Sequence, residues 1–285
     1  MNFFQNTTVI ITGAGSGIGR QLTLQAAANE AHVIATDVNE AGLAETKQQA
    51  SGNVTTFRLD VSDADAIRTF AGHTIPTLGN NRLILINNAG VALGSGPFSE
   101  TALTDFEWLL SINLWGVVRM TKAFLPYMIA QKGGRNGDRP GCHIVNLSSV
   151  FGLAGVMNQS AYCTAKFGVR GFSDVLRMEL LETNIGVTCV HPGGIKTNIA
   201  QNARLGQGGF VTESMHRQGA ISFEKAAKTT PQEAARQIWN GVRQNKARVL
   251  IGADAHLIEW ITRVFPTRYV WLIRQQIEKA FGTEG

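Results

Sequence analysis

Short apolar runs alternate along this chain with longer stretches whose apolar residues recur every three or four positions. The first run, TTVIIT (7–12), is β-branched and closed by glycines, which predicts a buried strand. HVIAT, ending at Asp37, predicts a second strand, and VTTFRLD, ending at Asp60, a third. RLILINNAG, CHIVNLSS, IGVTCVHPGG and ARVLIG supply four more. Between the strands the spacing predicts helices over 18–29, 40–50, 63–74, 104–131, 160–183 and 231–244. Such alternation implies right-handed crossovers and a parallel sheet, and near-continuous apolar strands suit a sheet covered on both faces. The expected fold class is α/β, a doubly wound parallel sheet with helices on both faces.

Three stretches interrupt this rhythm. KGGRNGDRPG (132–141) is polar and glycine-rich, so a mobile surface loop is expected. Residues 198–230 are polar and uneven, with Gly206, Gly208 and Gly209 close together, which suggests either a flexible lid over a substrate cavity or a poorly ordered insertion. Past residue 252 a helical stripe runs through Leu257, Trp260, Ile261, Val264 and Phe265. Beyond Pro266 a second follows: Val270, Ile273, Ile277 and Phe281. Packing against the domain or a second subunit is expected, and peripheral membrane contact is the sharper alternative, given the tryptophans and flanking arginines. No repeat or linker divides the chain. It reads as one domain: 1–252 as dinucleotide-binding and catalytic unit, with the lid at 198–230, and 253–285 as a helical extension.

Composition narrows the classes. With 285 residues, 44% hydrophobic and 16% charged, the chain can bury one large core like an ordinary soluble protein. No stretch approaches the ~18 apolar residues of a membrane span. MNFFQNTTVIITG lacks a basic leader region and a cleavage site, so a cytoplasmic location is expected. The net charge of +5 lies wholly in residues 200–285, which carry 12 Lys/Arg against 7 Asp/Glu. That region has no dense basic run, so nucleic acid is not an expected partner. Cys142, Cys163 and Cys189 are odd in number and far apart; they predict small buried apolar residues, with no disulfide framework and no metal site.

The chemistry gathers at strand ends. TGAGSGIGR, with Gly13, Gly17 and Gly19, follows the first strand and opens a helix, the setting in which a backbone approaches a pyrophosphate. Asp37 stands eighteen residues past Gly19, where a carboxylate would accept hydrogen bonds from both ribose hydroxyls and repel a 2′-phosphate. No arginine neighbours it in sequence, so NAD is favoured over NADP. Asn113 within SINLWG is costly in an apolar helix unless its amide finds partners; a backbone-satisfied core asparagine and a catalytic role are both open. Tyr162 and Lys166 fall one helical turn apart, thirteen and seventeen residues after Ser149. A lysine there favours the phenolate, and lowering a tyrosine pKa by ~2–3 units needs roughly 3–4 kcal/mol of differential stabilisation, which one close cation plus a bound cofactor cation could supply. Taken alone, Y-x-x-x-K recurs by chance on many helices. His191 is expected to be a strand-end residue without a catalytic role.

Together these residues resemble the short-chain dehydrogenase/reductase family over about 7–252. TGAGSGIG resembles its cofactor glycine motif, NNAG (87–90) its stabilising motif, and PGGIKT (192–197) its nicotinamide-side segment. Asn113, Ser149, Tyr162 and Lys166 match its catalytic tetrad. The resemblance implies a Rossmann-type sheet of seven parallel strands, assembly as homodimer or homotetramer, and NAD contacts from Gly13, Ser16, Gly17, Ile18, Gly19, Asp37, Asp60, Val61, Asn88, Ala89, Gly90, Tyr162, Lys166, Pro192, Gly193, Ile195 and Thr197. It further implies hydride transfer between an alcohol carbon and nicotinamide. Tyr162 would be general acid/base, Ser149 would anchor the substrate oxygen, Lys166 would bind ribose, and Asn113 would hold a water beside Lys166. The 132–141 loop is longer than the family pattern, and the tail lies outside it.

Leu153, Val156, Met157, Phe210 and Met215 are expected to line the pocket, which suggests an apolar secondary alcohol or ketone as substrate. Two alternatives are a carrier-linked 3-ketoacyl reductase that docks an acidic carrier on the basic final third, and a non-catalytic NAD(H)-binding sensor. Asp37 and the intact tetrad weigh against them in turn.

Overall fold

The computed structural model of the chain describes residues 2–131, 141–271 and 274. Seven strands form one all-parallel sheet: β1 (Thr7–Thr12), β2 (His32–Asp37), β3 (Val54–Arg58), β4 (Arg82–Asn87), β6 (His143–Leu147), β7 (Gly186–Pro192) and β9 (Arg248–Ile251). Their spatial order is β3-β2-β1-β4-β6-β7-β9. The order reverses between β1 and β4, which opens a crevice at the carboxyl edge there. This is the expected Rossmann-like α/β sheet.

The pleat explains why the strands read as unbroken apolar runs. Val9, Ile11, Ile84 and Ile86 face one core with α1 (Gly17–Ala27) and α8 (Pro231–Arg243), through Leu22, Ala26, Ile238 and Trp239. Their neighbours Ile10, Leu83 and Leu85 face the other, with α3 (Ala64–Thr74), α5 (Gly116–Ala130) and α6 (Ser160–Glu179), through Phe70, Phe124 and Leu176. Each fully buried side chain of this size contributes about 1.5–3 kcal/mol. Cys142 and Cys189 are buried as expected, while Cys163 is half-buried.

One predicted element differs from expectation. The predicted 104–131 helix is broken: α4 (Leu103–Leu110) and α5 are joined by a π-helical turn, Ser111–Trp115, that carries Asn113. The 198–230 segment carries β8 (Arg204–Leu205) and α7 (Glu213–Ala226). β8 pairs with β5 (Leu93–Gly94) in a second, two-stranded sheet. The predicted loop, apart from Gly141, lies outside the described residues, as do Ile273, Ile277 and Phe281.

The tail's first helix, α9 (Ala253–Val264), docks on the domain through a face other than its apolar stripe. Ala255 and Glu259 are its buried residues, and Leu257, Trp260, Val264 and Phe265 are exposed. Glu259 can be buried because Arg248 and Arg263 each donate to it at 2.7 Å. No helix among the described residues is long and apolar enough to cross a membrane.

Two buried histidines make the fold acid-sensitive. Thr188 Oγ1 donates to the Lys246 carbonyl, so it accepts from His143 Nε2 at 2.8 Å, and His143 Nδ1 is left unprotonated without a partner. Gly186 leaves it no room, since a Cβ would lie 2.3 Å from Nδ1. Burial pushes His143 down to about 3 and His191 down to about 4. Unfolded histidines bind protons below about pH 6.5 and these do not, so stability is full above 6.5 and is lost as pH falls toward 4. Urea midpoints between pH 7 and 4 should fall steeply. His143→Gln should flatten that slope, and an unchanged slope would remove His143 from the account.

Candidate active site

The glycine turn after β1 is shaped by what presses on it. Gly13 and Gly17 have positive φ (67° and 53°), a region open to glycine and strained for other residues. A Cβ on Gly19 would lie 2.1 Å from the Gly13 carbonyl oxygen. Asn88 holds the turn across the β1–β4 crevice, its Nδ2 donating to the carbonyls of Thr12 (2.9 Å) and Gly13 (3.0 Å). Thr12 Oγ1 in turn accepts from the amides of Asn88 and Ala89, both at 3.0 Å. Asn88 and Ala89 thus brace the turn. No side chain caps α1, and its first turn carries no acidic residue. Its amides, with Ser16, Gly17 and Ile18 at the front, are set for an anion.

Asp37 ends β2 and accepts from the Gly15 amide (2.9 Å) and the Asn39 amide (2.9 Å). An arginine does stand close in space. Arg20 donates to the Gly15 carbonyl at 2.6 Å, with its guanidinium forked onto Glu45 at 2.7 and 2.8 Å. Asp60 accepts from the Ser62 amide and hydroxyl (2.8 and 2.7 Å), and Val61 is buried against Gly116. Pro192, Gly193, Ile195 and Thr197 follow β7; a Cβ on Gly17 would meet Thr197 Cγ2 at 3.1 Å. The glycine turn and the 192–197 segment therefore face each other closely.

Ser149, Tyr162 and Lys166 converge beyond β6. Ser149 is extended, with Oγ accepting from the Phe151 amide at 3.2 Å, and it hydrogen-bonds Tyr162. Lys166 is buried, donates to the Leu147 carbonyl at 2.9 Å and lies 5.5 Å from the Tyr162 ring centre. Asn113 is fully buried and pairs reciprocally with Val91, its Oδ1 accepting from the amide and its Nδ2 donating to the carbonyl, both at 2.8 Å. Gly90 lies between them: a Cβ there would be 3.4 Å from Asn113 Oδ1 and 3.6 Å from Lys166 Nζ. All four tetrad positions thus gather around one strand edge.

Burial dominates the electrostatics of these two groups. Burial pushes the Tyr162 phenol up to about 12, and the Ser149 hydrogen bond offsets only part of that. Lys166 is itself pushed by burial down to about 8. Its ammonium is committed to a backbone carbonyl and stands off the ring. The protein's own groups therefore keep Tyr162 protonated; they do not by themselves make it a base.

A model of the short chain dehydrogenases matches residues 7–208. The Mycobacterium tuberculosis protein SadH is 38% identical over 286 residues, covering 99% of both chains. The chain belongs to the short-chain dehydrogenase/reductase family. Among solved structures, a short-chain dehydrogenase/reductase from Burkholderia phymatum in complex with NAD is 25% identical, with a TM-score of 0.79 over 96% of this chain and 97% of that one. A serine dehydrogenase complexed with NADP+ in its closed form is 27% identical, with a TM-score of 0.71 over 86% and 93%. Both nicotinamide dinucleotides thus occur among the fold's relatives.

As an oxidoreductase of this short-chain dehydrogenase/reductase family, the protein carries site features that sequence reading missed. His191 is buried, and its Nδ1 lies 2.9 Å from the Ser149 carbonyl. A carbonyl only accepts, so Nδ1 carries the proton and His191 steadies the backbone of Ser149. Ser148 Oγ donates to the Lys166 carbonyl at 2.8 Å. Beneath them Asn87, Asn146 and Ser173 form a buried chain of hydrogen bonds that ties β4, β6 and α6 together. The 198–230 segment is fastened by Asp105, fully buried on α4, which accepts from the Gln207 amide at 2.7 Å and meets Arg204 at 3.3 Å.

The residues expected to line the pocket differ in burial. Leu153 is buried in the core, while Met157, Phe210 and Met215 are about half exposed, with Phe210 over Gly96. The apolar residues grouped with Tyr162 are Leu93, Leu109, Phe106, Trp108 and Leu114. Under α7 a cavity of about 360 Å³ is lined by Gln201, Leu205, Glu213, His216, Arg217 and Ala220, a mixed surface.

Proposed function

We propose that the protein is an NAD-dependent oxidoreductase that moves a hydride between an apolar secondary alcohol, or its ketone, and nicotinamide. The observation that carries this reading is the convergence of Ser149, Tyr162 and Lys166 beside an uncapped glycine turn. Gly13, Gly17 and Gly19 would let the backbone reach the pyrophosphate, with Ser16 and Ile18 at its helix end. Asp37 would bind the adenosine ribose, Asp60 and Val61 would flank the adenine, and Gly90, Pro192, Gly193, Ile195 and Thr197 would border the nicotinamide end.

Ser149 would anchor the substrate oxygen, and Tyr162 would exchange a proton with it. Nicotinamide, when bound, supplies the hydride acceptor and, in its oxidised form, a positive charge that favours the phenolate. A neutral phenol with a pKa of about 12 suits proton donation to a ketone. Lys166 would reach the ribose, and Asn113 keeps one lone pair and one N–H beyond its Val91 bonds, enough to hold a water beside Lys166. Exposed Val175 and Met178 on α6 suit a homo-oligomer.

NAD over NADP is supported by the Asp37 carboxylate and by Arg20, whose guanidinium is already engaged by Glu45 and Gly15. Asp37→Ala should narrow the NAD/NADP preference in kcat/KM by about tenfold. An unchanged preference would mean that another residue reads the ribose. The reading as a whole is tested by screening linear, cyclic, aryl and steroid secondary alcohols for NAD+ and NADP+ reduction. Activity with NAD+ on an apolar class supports it, and silence in protein that binds NADH contradicts it.

A further inference from the structure

The chain beyond Gly252 touches both segments that flank the reaction centre. At its start, Asp254 Oδ2 accepts from the Gly194 amide at 2.7 Å. Gly193 has no room for a side chain, since a Cβ there would lie 2.1 and 2.2 Å from the two Asp254 oxygens. The Gly193 amide donates to the Ile251 carbonyl at 2.9 Å, so the 192–197 segment rests on the junction between β9 and α9. At the far end, the half-buried Tyr269 accepts from the Gly155 amide through its hydroxyl, at 3.3 Å. Gly155 lies in the 150–159 segment, between Ser149 and the helix of Tyr162. Glu259 pins the middle of α9 to Arg248 on β9, and Arg248 also reaches Asp174 on α6 at 3.6 Å.

The helix α9, twelve residues and about 18 Å long, lies between the Asp254 contact near its start and Tyr269, five residues past its end. The contacts at its ends are polar and aimed at backbone amides, which fixes backbone position where apolar contact alone would leave slack. We propose that this extension is a brace for the active site. Asp254 is a positioning residue for the cofactor-side segment, and Tyr269 is a positioning residue for the substrate-side segment. The inference rests on the proposed dehydrogenase function and adds to it that substrate and cofactor binding depend on separate residues of the tail.

Three variants test it: Asp254→Ala, Asp254→Asn and Tyr269→Phe. NADH affinity is read by fluorescence titration, KM with whichever panel alcohol the wild type oxidises, and backbone order by hydrogen exchange over 150–159. Asp254→Ala should weaken NADH binding about fivefold, and Asp254→Asn, which keeps an acceptor oxygen, should restore it to within about twofold. Tyr269→Phe should raise the alcohol KM about fivefold, leave NADH affinity within about twofold, and speed exchange over 150–159. The brace is overturned if all three variants move both constants together, if they lower only the melting temperature, or if exchange over 150–159 is unchanged in Tyr269→Phe. If the wild type oxidises no panel alcohol, the function reading fails separately, and the NADH and exchange measurements still decide the brace.

Discussion

Tyr162→Phe should lower turnover about a thousandfold while leaving NADH affinity nearly unchanged. The substitution removes one hydroxyl and keeps the ring, so its edge-on packing with Phe151, centres 5.9 Å apart, survives. Lys166 keeps its hydrogen bond to the Leu147 carbonyl, and Ser149 keeps the Phe151 amide. What is lost is the group that exchanges a proton with the substrate oxygen. Because burial holds that phenol at about 12, oxidation by the wild type should also speed up as pH rises toward the alkaline range. A Tyr162→Phe enzyme that kept more than about a tenth of the wild-type rate would remove Tyr162 from the acid/base role.

Gly19→Ala should cost about a hundredfold in NADH affinity with the far-ultraviolet circular dichroism retained. A methyl there would lie 2.1 Å from the Gly13 carbonyl oxygen and 2.5 Å from Asn88 Nδ2. The turn must open, and the Asn88 bonds to Thr12 and Gly13 must lengthen or break. Alanine is a better helix former than glycine, so α1 itself gains while the approach to the pyrophosphate is lost. Equal NADH affinity in this variant would mean that the turn is not the phosphate cradle.

How much of this was legible in the sequence depended on how local the cause was. The sheet could be read because each strand carries its own apolar run, and the pleat of Val9, Ile10 and Ile11 divides that run between two cores. The glycine turn and the Ser149–Tyr162–Lys166 spacing are likewise set within short stretches. Asn113 is the backbone-satisfied asparagine of the first reading, its amide paired with Val91, and its position adjoins Lys166. The break at the π-helical turn carried no proline, and the Gly116 at its end is tolerated inside a helix, so one long helix was expected.

Partners far apart in sequence were not legible. Arg20 reaches Glu45 across 25 residues, Asp254 reaches Gly194 across 60, and Gly155 reaches Tyr269 across 114. The tail shows a different limit. Periodicity marked α9 as amphipathic, but an apolar stripe does not say what covers it. The face that docks carries Ala255 and Glu259, because two arginines match the carboxylate, and Trp260 is left outside. The pKa of Tyr162 in the protein alone was not legible for a related reason. Helical spacing set Lys166 beside it, and burial, which no spacing reports, proved the larger effect.

The central claim is hydride transfer to nicotinamide at the Ser149–Tyr162–Lys166 site. Its most direct test is to supply NAD+ with secondary alcohols deuterated at the carbinol carbon and to examine the reduced dinucleotide by mass spectrometry. One deuterium is expected in the reduced nicotinamide for the alcohols that turn over, formed about a thousandfold more slowly when Tyr162→Phe replaces the wild type. Reduced dinucleotide without deuterium, or no reduction by any alcohol in protein that binds NADH, would contradict it.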